Sequence, residues 1–229
     1  MAIVRRKSLS NLEDYAPKSK LRELTQQGRD LDYNNTEGTL LTETVNEVLA
    51  RLDRQDHVHV LDAGAGKGNA LKIIEGFAPG SIHAHGIGIN SLGPGTQIPK
   101  HKWTRGHLES YKFLDEGRKA GAFDVIQGAF VMQHISNIIG YENMLNSLKV
   151  GGKMFVQNDG RNKPLSLQTS QTAVAAIKAL ALQGFEIECK ENRNGYLETI
   201  TRTSKKEADL REFYDCPYLN KVPMKKSIE

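Results

Sequence analysis

Hydrophobic and polar positions alternate along this chain in two rhythms, and each change of rhythm marks an element. Leu40, Leu41, Val45, Val48, Leu49 and Leu52 fall at helical spacing and predict an amphipathic helix from Thr39 to near Asp53. Short apolar runs bounded by turn residues predict strands over 57–62, 81–89, 102–105, 123–129, 153–157, 185–190 and 196–203. Helical spacing predicts helices between them over 69–77, 108–120, 138–148 and 165–182. Gly151 and Gly152 stop the third of these helices, and Gly184 stops the fourth. Asn192, Arg193, Asn194 and Gly195 give the signal of a hairpin between the last two strands.

Alternating strand and helix units require a mostly parallel sheet with helices on both faces. The pattern therefore predicts an α/β fold, a doubly wound, Rossmann-like, mostly parallel seven-stranded sheet with one antiparallel edge strand. Ligands of such sheets lie beyond the carboxyl ends of the strands, where the strand order reverses. That rule gathers residues 63–68, 88–91, 106–110, 129–135 and 158–162 around one crevice. Residues 38–203 carry this domain. Residues 1–37 are polar, with scattered Leu12, Tyr15, Leu21 and Leu24, and read as an arm able to fold over the crevice as a lid. Residues 204–229 read as a basic tail, with a short helix around 208–214 followed by fraying.

Composition changes this picture little. A chain of 229 residues with 38% hydrophobic content suits one well-buried core. Its 31 basic against 27 acidic groups leave +4, too small an excess to argue for a nucleic-acid surface. The two cysteines, Cys189 and Cys216, have neither metal-site spacing nor the density of a disulfide framework, so a reducing compartment, the cytoplasm, is expected. No apolar run approaches the roughly 18 residues of a membrane span, and no membrane partner is expected. Arg5, Arg6 and Lys7 have no apolar stretch behind them and do not read as a secretory signal.

The most informative stretch is His57 to Gly68. An apolar run ends at Asp62, and Gly64, Gly66 and Gly68 then occupy every second position. Three glycines in five residues point to backbone at positive φ, or to a ligand in close approach. The helix that follows would aim its first N–H groups at the same place, which favours a carboxylate or another anion. The spacing is D-x-G-x-G-x-G, whereas a dinucleotide site wants G-x-G-x-x-G.

This segment resembles the first motif of the class I S-adenosylmethionine-dependent methyltransferases, and the resemblance covers roughly residues 38–203. Phe123 to Ile135 resembles that family's fourth strand and following loop, Leu148 to Lys153 the turn into its fifth, and the closing hairpin its reversed seventh strand. The resemblance implies an enzyme that transfers a methyl group from S-adenosylmethionine to a nucleophile by in-line displacement. It implies that Asp62 and the backbone at Gly64, Gly66 and Gly68 hold the methionine end, with a carbonyl of Gly128 or Ala129 on the ammonium. Two positions depart from the family pattern. Gly88 stands where an acid usually holds the ribose hydroxyls, and Asn90, on the same side of the strand, is the substitute. His107 stands where an aspartate usually meets the adenine amino group, leaving the Leu108 N–H for the adenine ring.

Methyl transfer from a sulfonium needs positioning of the acceptor and, where the acceptor carries a proton, a base. His134, beyond the fourth strand, is the candidate base; capping or packing against the next helix is its plainer role. Tyr33 on the arm, Gln133, Tyr141 at the rim and Asp159 are candidates for binding the acceptor, which is expected to be a small molecule, with nucleic acid and protein acceptors left open. Tyr141 has the plainer role of a half-buried helix residue and Asp159 that of a loop initiator. His57, His59, His83 and His85 lie toward the amino ends of neighbouring strands and read as solvated, with no metal expected. Two rival readings stand beside the enzyme: a non-catalytic protein of this fold that binds S-adenosylmethionine or S-adenosylhomocysteine, and an oxidoreductase using a dinucleotide.

Overall fold

The computed structural model describes residues 39–66, 68–88, 102–105, 108, 121–129, 138–158, 163–192 and 195–215. The arm with Tyr33, the helix expected over 108–120 beyond its first residue, and Asn90, His107, Gln133, His134 and Asp159 lie outside the described residues.

Helix α1 (Thr39–Leu52) leads into β1 (Val58–Ala63), α2 (Asn69–Phe77), β2 (Ile82–Gly88), β3 (Trp103–Arg105) and β4 (Phe123–Ala129). Then come α3 (Ile139–Ser147), β5 (Leu148–Asn158), a 3-10 turn (Leu165–Leu167), α4 (Gln171–Leu182), β6 (Phe185–Asn192), β7 (Gly195–Arg202) and a second 3-10 turn (Arg211–Phe213). One sheet holds all seven strands in the order β3-β2-β1-β4-β5-β7-β6. Strands β1 to β5 pair in parallel, and β7 runs antiparallel to both β5 and β6. The hairpin thus closes one side of the sheet, with its reversed strand one place in from the outermost. Strand order reverses between β1 and β4, and this is the crevice of the doubly wound fold.

The central strands are buried on both faces, and alternate residues feed two cores. Val58 and Val60 of β1 pack with Val45 and Val48 of α1 and with Leu71 and Ile74 of α2. Leu61 and Ala63 pack on the other face with Ile126, Tyr141, Met144 and Leu180. Helix α1 runs opposite to the strands. Near its end Arg51 donates to the Gly151 carbonyl and lies 3.9 Å from Asp124, and one turn earlier Glu47 accepts from Lys153 at 2.7 Å. All three partners sit at the amino edge of the sheet, so α1 begins toward the carboxyl edge.

Three expectations are corrected here. Strand β5 begins at Leu148, before the paired glycines, because Phe123 pairs with Leu148 and Val125 with Lys153, a register shift that puts Gly151 and Gly152 in a bulge. Gly151 has φ +78, and a Cβ on Gly152 would sit 2.8 Å from the Lys149 carbonyl. The helix expected from residue 165 begins at Gln171, because the Ser170 hydroxyl caps it by accepting from the Ala173 N–H at 3.2 Å. The expected tail is part of the core as far as it is described: Ala208, Leu210 and Phe213 are buried in the cluster on the α3 face. Glu142 accepts from the Leu210 N–H and from the Tyr214 hydroxyl, and Asn146 exchanges two hydrogen bonds with the backbone of Ala208.

Candidate functional site

The carboxyl end of β1 turns sharply, and its geometry follows from its glycines. Gly64, Gly66 and Gly68 have φ of 77°, 53° and 80°, left-handed conformations that cost a side-chain-bearing residue roughly 1–2 kcal/mol each. The N–H groups of Gly64 and Ala65 both donate to the Ile87 carbonyl, at 2.9 and 3.1 Å, and the Gly68 N–H donates to the Ala65 carbonyl at 2.7 Å. The turn is thereby fastened to the end of β2. A Cβ built on Gly66 would meet no atom within 4 Å. Packing within the protein therefore does not demand glycine there; the backbone conformation does, and it leaves open space above the turn. Gly68 is the N-cap of α2 and supplies no side-chain cap, so the first turn of the helix presents its N–H groups uncapped.

Asp62, two residues before the turn, is 5% exposed. In register beside it stand Gly86 on β2 and Gln127 on β4. Burial pushes the Asp62 carboxyl up to about 7, against the opposing effect of a hydrogen bond from the Gln127 side chain. Ala63 pairs with Gly128, so Gly128 and Ala129 end β4 alongside the turn. Leu108 is buried, and its carbonyl accepts from Asn143 of α3 at 2.7 Å, which fixes the orientation of that peptide. Gly88 ends β2 with Arg105 of β3 as its in-register neighbour.

The position expected for Tyr141 is corrected. It lies in the core, not at the rim, and its hydroxyl donates to Glu198 at 2.9 Å. Glu198 of β7 also accepts from the Ser166 N–H at 3.0 Å and from the Ser166 hydroxyl at 2.6 Å, and burial pushes its carboxyl up. Sequence reasoning missed both Glu198 and Gln127. The signal available was a polar residue within an apolar strand, Gln127 between Ile126 and Gly128. Far from the turn, at the amino edge, His83 Nε2 lies 3.1 Å from His57 Nδ1 and the His83 ring stacks on His59. His85 is buried, with Nε2 2.8 Å from the Thr104 hydroxyl. Among the described residues no group of three or more histidines, cysteines or carboxylates is arranged to hold a metal. Among them, too, no helix is long and apolar enough to cross a membrane.

Comparison with known proteins agrees with the topology. No protein-family model and no curated protein sequence matches the chain. Among solved structures, a selenomethionine-substituted CurJ carbon methyltransferase superposes with a TM-score of 0.57 at 14% identity, over 84% of this chain and 61% of that one. The methyltransferase domain of the citrinin polyketide synthase gives 0.55 at 14% identity, over 82% and 57%. A putative S-adenosylmethionine-dependent methyltransferase from Listeria monocytogenes gives 0.51 at 14% identity, over 73% and 98%. The matched region spans about three fifths of the first two proteins. The chain has the class I methyltransferase fold, a seven-stranded Rossmann-like sheet with its reversed strand beside the outermost.

Proposed function

We propose that this chain is an S-adenosylmethionine-dependent methyltransferase acting on a small-molecule acceptor. The observation that carries the reading is the turn at Gly64, Gly66 and Gly68. It joins three left-handed glycines, open space above Gly66 and an uncapped helix start at the place where the strand order reverses. These features fit the methionine end of that cofactor, with helix N–H groups for its carboxylate and Asp62 with the Gly128 or Ala129 carbonyl for its ammonium. When bound, the cofactor supplies a methyl group already activated by the sulfonium. The chain then has to hold, orient and deprotonate. In this reading the Leu108 N–H meets the adenine ring, Asn90 and His107 hold the nucleoside, and His134 takes the acceptor's proton. Gln133, Asp159 and Tyr33 line the acceptor side.

A thermal-shift series with S-adenosylhomocysteine and NAD tests this assignment. A ligand at 100 times its dissociation constant stabilises the folded state by about 2.7 kcal/mol. Stabilisation by S-adenosylhomocysteine alone is the expected result, and a response to NAD alone overturns it. Methyl transfer from labelled S-adenosylmethionine across a panel of small acceptors then separates the enzyme from a non-catalytic binder of the same ligand.

A further inference from the structure

We propose that Gln127 is a positioning residue of the cofactor site: its side-chain amide orients the Asp62 carboxyl and favours the charged form that receives a cationic ligand group, and so sets how cofactor capture depends on protons. The inference rests on the cofactor reading above and names its control element.

Register carries the argument. Asp62 lies between Gly86 and Gln127, so its in-register neighbour on one flank has no side chain and on the other has an amide. Both polar residues are nearly sealed from solvent, Gln127 at 3% exposure. The Gln127 amide bonds Asp62, while its Oε1 is buried without a partner. A valine or leucine, such as the Val125 two residues earlier, would leave no unpaired acceptor in the core. Apolar packing therefore does not explain a glutamine here, whereas supplying a donor to the buried Asp62 carboxyl does.

Several of the charged groups described on this face are paired elsewhere. Helix α1 carries Glu43, Glu47 and Arg51; Glu47 and Arg51 pair with each other at 2.9 Å, and Glu47 also binds Lys153. Helix α2 carries Lys72 and Glu75, and Glu75 binds Lys102 and the Ala84 N–H. Strand β5 places Phe155 beside Gln127, and His85 of β2 pairs in register with Leu61, on the opposite face from Asp62. Among the described residues, burial and the Gln127 amide act on the carboxyl, and they act in opposite directions. An ammonium favours ionised Asp62, so affinity should rise with pH through the Asp62 titration, and loss of the amide should move that titration upward.

The test measures dissociation constants calorimetrically from pH 5.5 to 8.5 for S-adenosylhomocysteine and for 5′-methylthioadenosine, which lacks the ammonium and carboxylate. For the wild-type chain, affinity for S-adenosylhomocysteine should fall up to tenfold per pH unit below a midpoint near neutrality, and affinity for 5′-methylthioadenosine should stay level. Gln127→Met should raise the midpoint by about one unit, weakening S-adenosylhomocysteine about fivefold at pH 7 and little at pH 8.5. Asp62→Asn should abolish the pH dependence and serves if Gln127→Met does not fold. A pH-independent wild type, or a Gln127→Met variant weakened equally at every pH, overturns the role of Gln127 while leaving the cofactor site standing. A pH dependence that survives in Asp62→Asn overturns it equally. Failure of the wild type to bind either ligand overturns both.

Discussion

Two buried aspartates on adjacent strands, at opposite edges of the sheet, have opposite electrostatic fates. Asp124 opens β4 at the amino edge and is 2% exposed. It accepts from the His59 N–H at 2.8 Å and from Lys149 at 2.8 Å, with Arg51 at 3.9 Å. Burial works to raise its pKa, yet Lys149, the His59 N–H and the Gln55 side chain together hold it below its ordinary value. Asp62 ends β1 at the carboxyl edge, is buried to a similar degree, and has the Gln127 amide to counter its desolvation. Burial alone therefore does not decide the charge of a carboxylate here; the number and charge of its donors does. The well-supplied aspartate ties α1, β1 and β5 together, and the poorly supplied one stands beside the glycine turn.

Removing each side chain should separate these two roles. Asp124→Ala strips Lys149, Arg51 and the His59 N–H of their shared acceptor and should cost about 3 kcal/mol, a fall in Tm of roughly 6–12 °C. Urea unfolding checks the stability, and the folded fraction should bind S-adenosylhomocysteine within twofold of wild type. Asp62→Asn should do the reverse. Affinity should drop roughly tenfold or more at pH 8, since a charge-assisted bond contributes about 1.5–3 kcal/mol, while stability near neutrality holds or rises.

The pH dependence sharpens the contrast because the signs differ. Asp62 has a folded pKa above its unfolded one, so between about pH 4 and 7 the folded chain holds the extra proton. Its contribution to stability falls as pH rises through that window and is constant above it. Asp124 has a folded pKa below its unfolded one, so its contribution is present above the unfolded value and is lost as pH falls toward the folded one. Unfolding free energies of Asp62→Asn should therefore gain on wild type between pH 4 and 7 and then run parallel. A variant that tracks wild type throughout would place Asp62 outside this account.

A smaller loss of stability than at Asp124 is expected at Gly66. Gly66→Ala should destabilise by only about 1 kcal/mol, the cost of its left-handed backbone, because the new methyl meets no protein atom. Its effect on binding of S-adenosylhomocysteine should be larger, because the methyl enters the space above the turn. Equal small losses in melting temperature and in affinity would argue that nothing lies close to that backbone.

What could be read from the chain was whatever neighbouring residues encode between themselves. Strand β1, α2 and β4 are legible because apolar spacing and the glycines at 64, 66 and 68 are local signals. The start of α4 is less legible, since the apolar Leu165 and Leu167 extend the helical rhythm ahead of the Ser170 cap that the structure shows. The bulge at Gly151 and Gly152 depends on pairing with Phe123 and Val125, which no window around the glycines contains. The same reason hid Gln127, Glu198 and the true place of Tyr141. Each matters through a partner brought alongside by register or packing, so their polarity was visible and their purpose was not.

Arg202 uses all five of its guanidinium hydrogens, on the carbonyls of Asn146, Leu148, Ser204, Lys205 and Lys206. Two of those carbonyls lie at the junction of α3 and β5, and three lie in the segment after β7. The set can be completed only when both stretches have arrived, so it cannot help the chain begin to fold. Its weight falls on the return journey. In a kinetic chevron, Arg202→Met should steepen the loss of the native state, raising the unfolding rate while the refolding arm stays close to wild type. The guanidinium is a latch on the finished molecule and takes no part in assembling it.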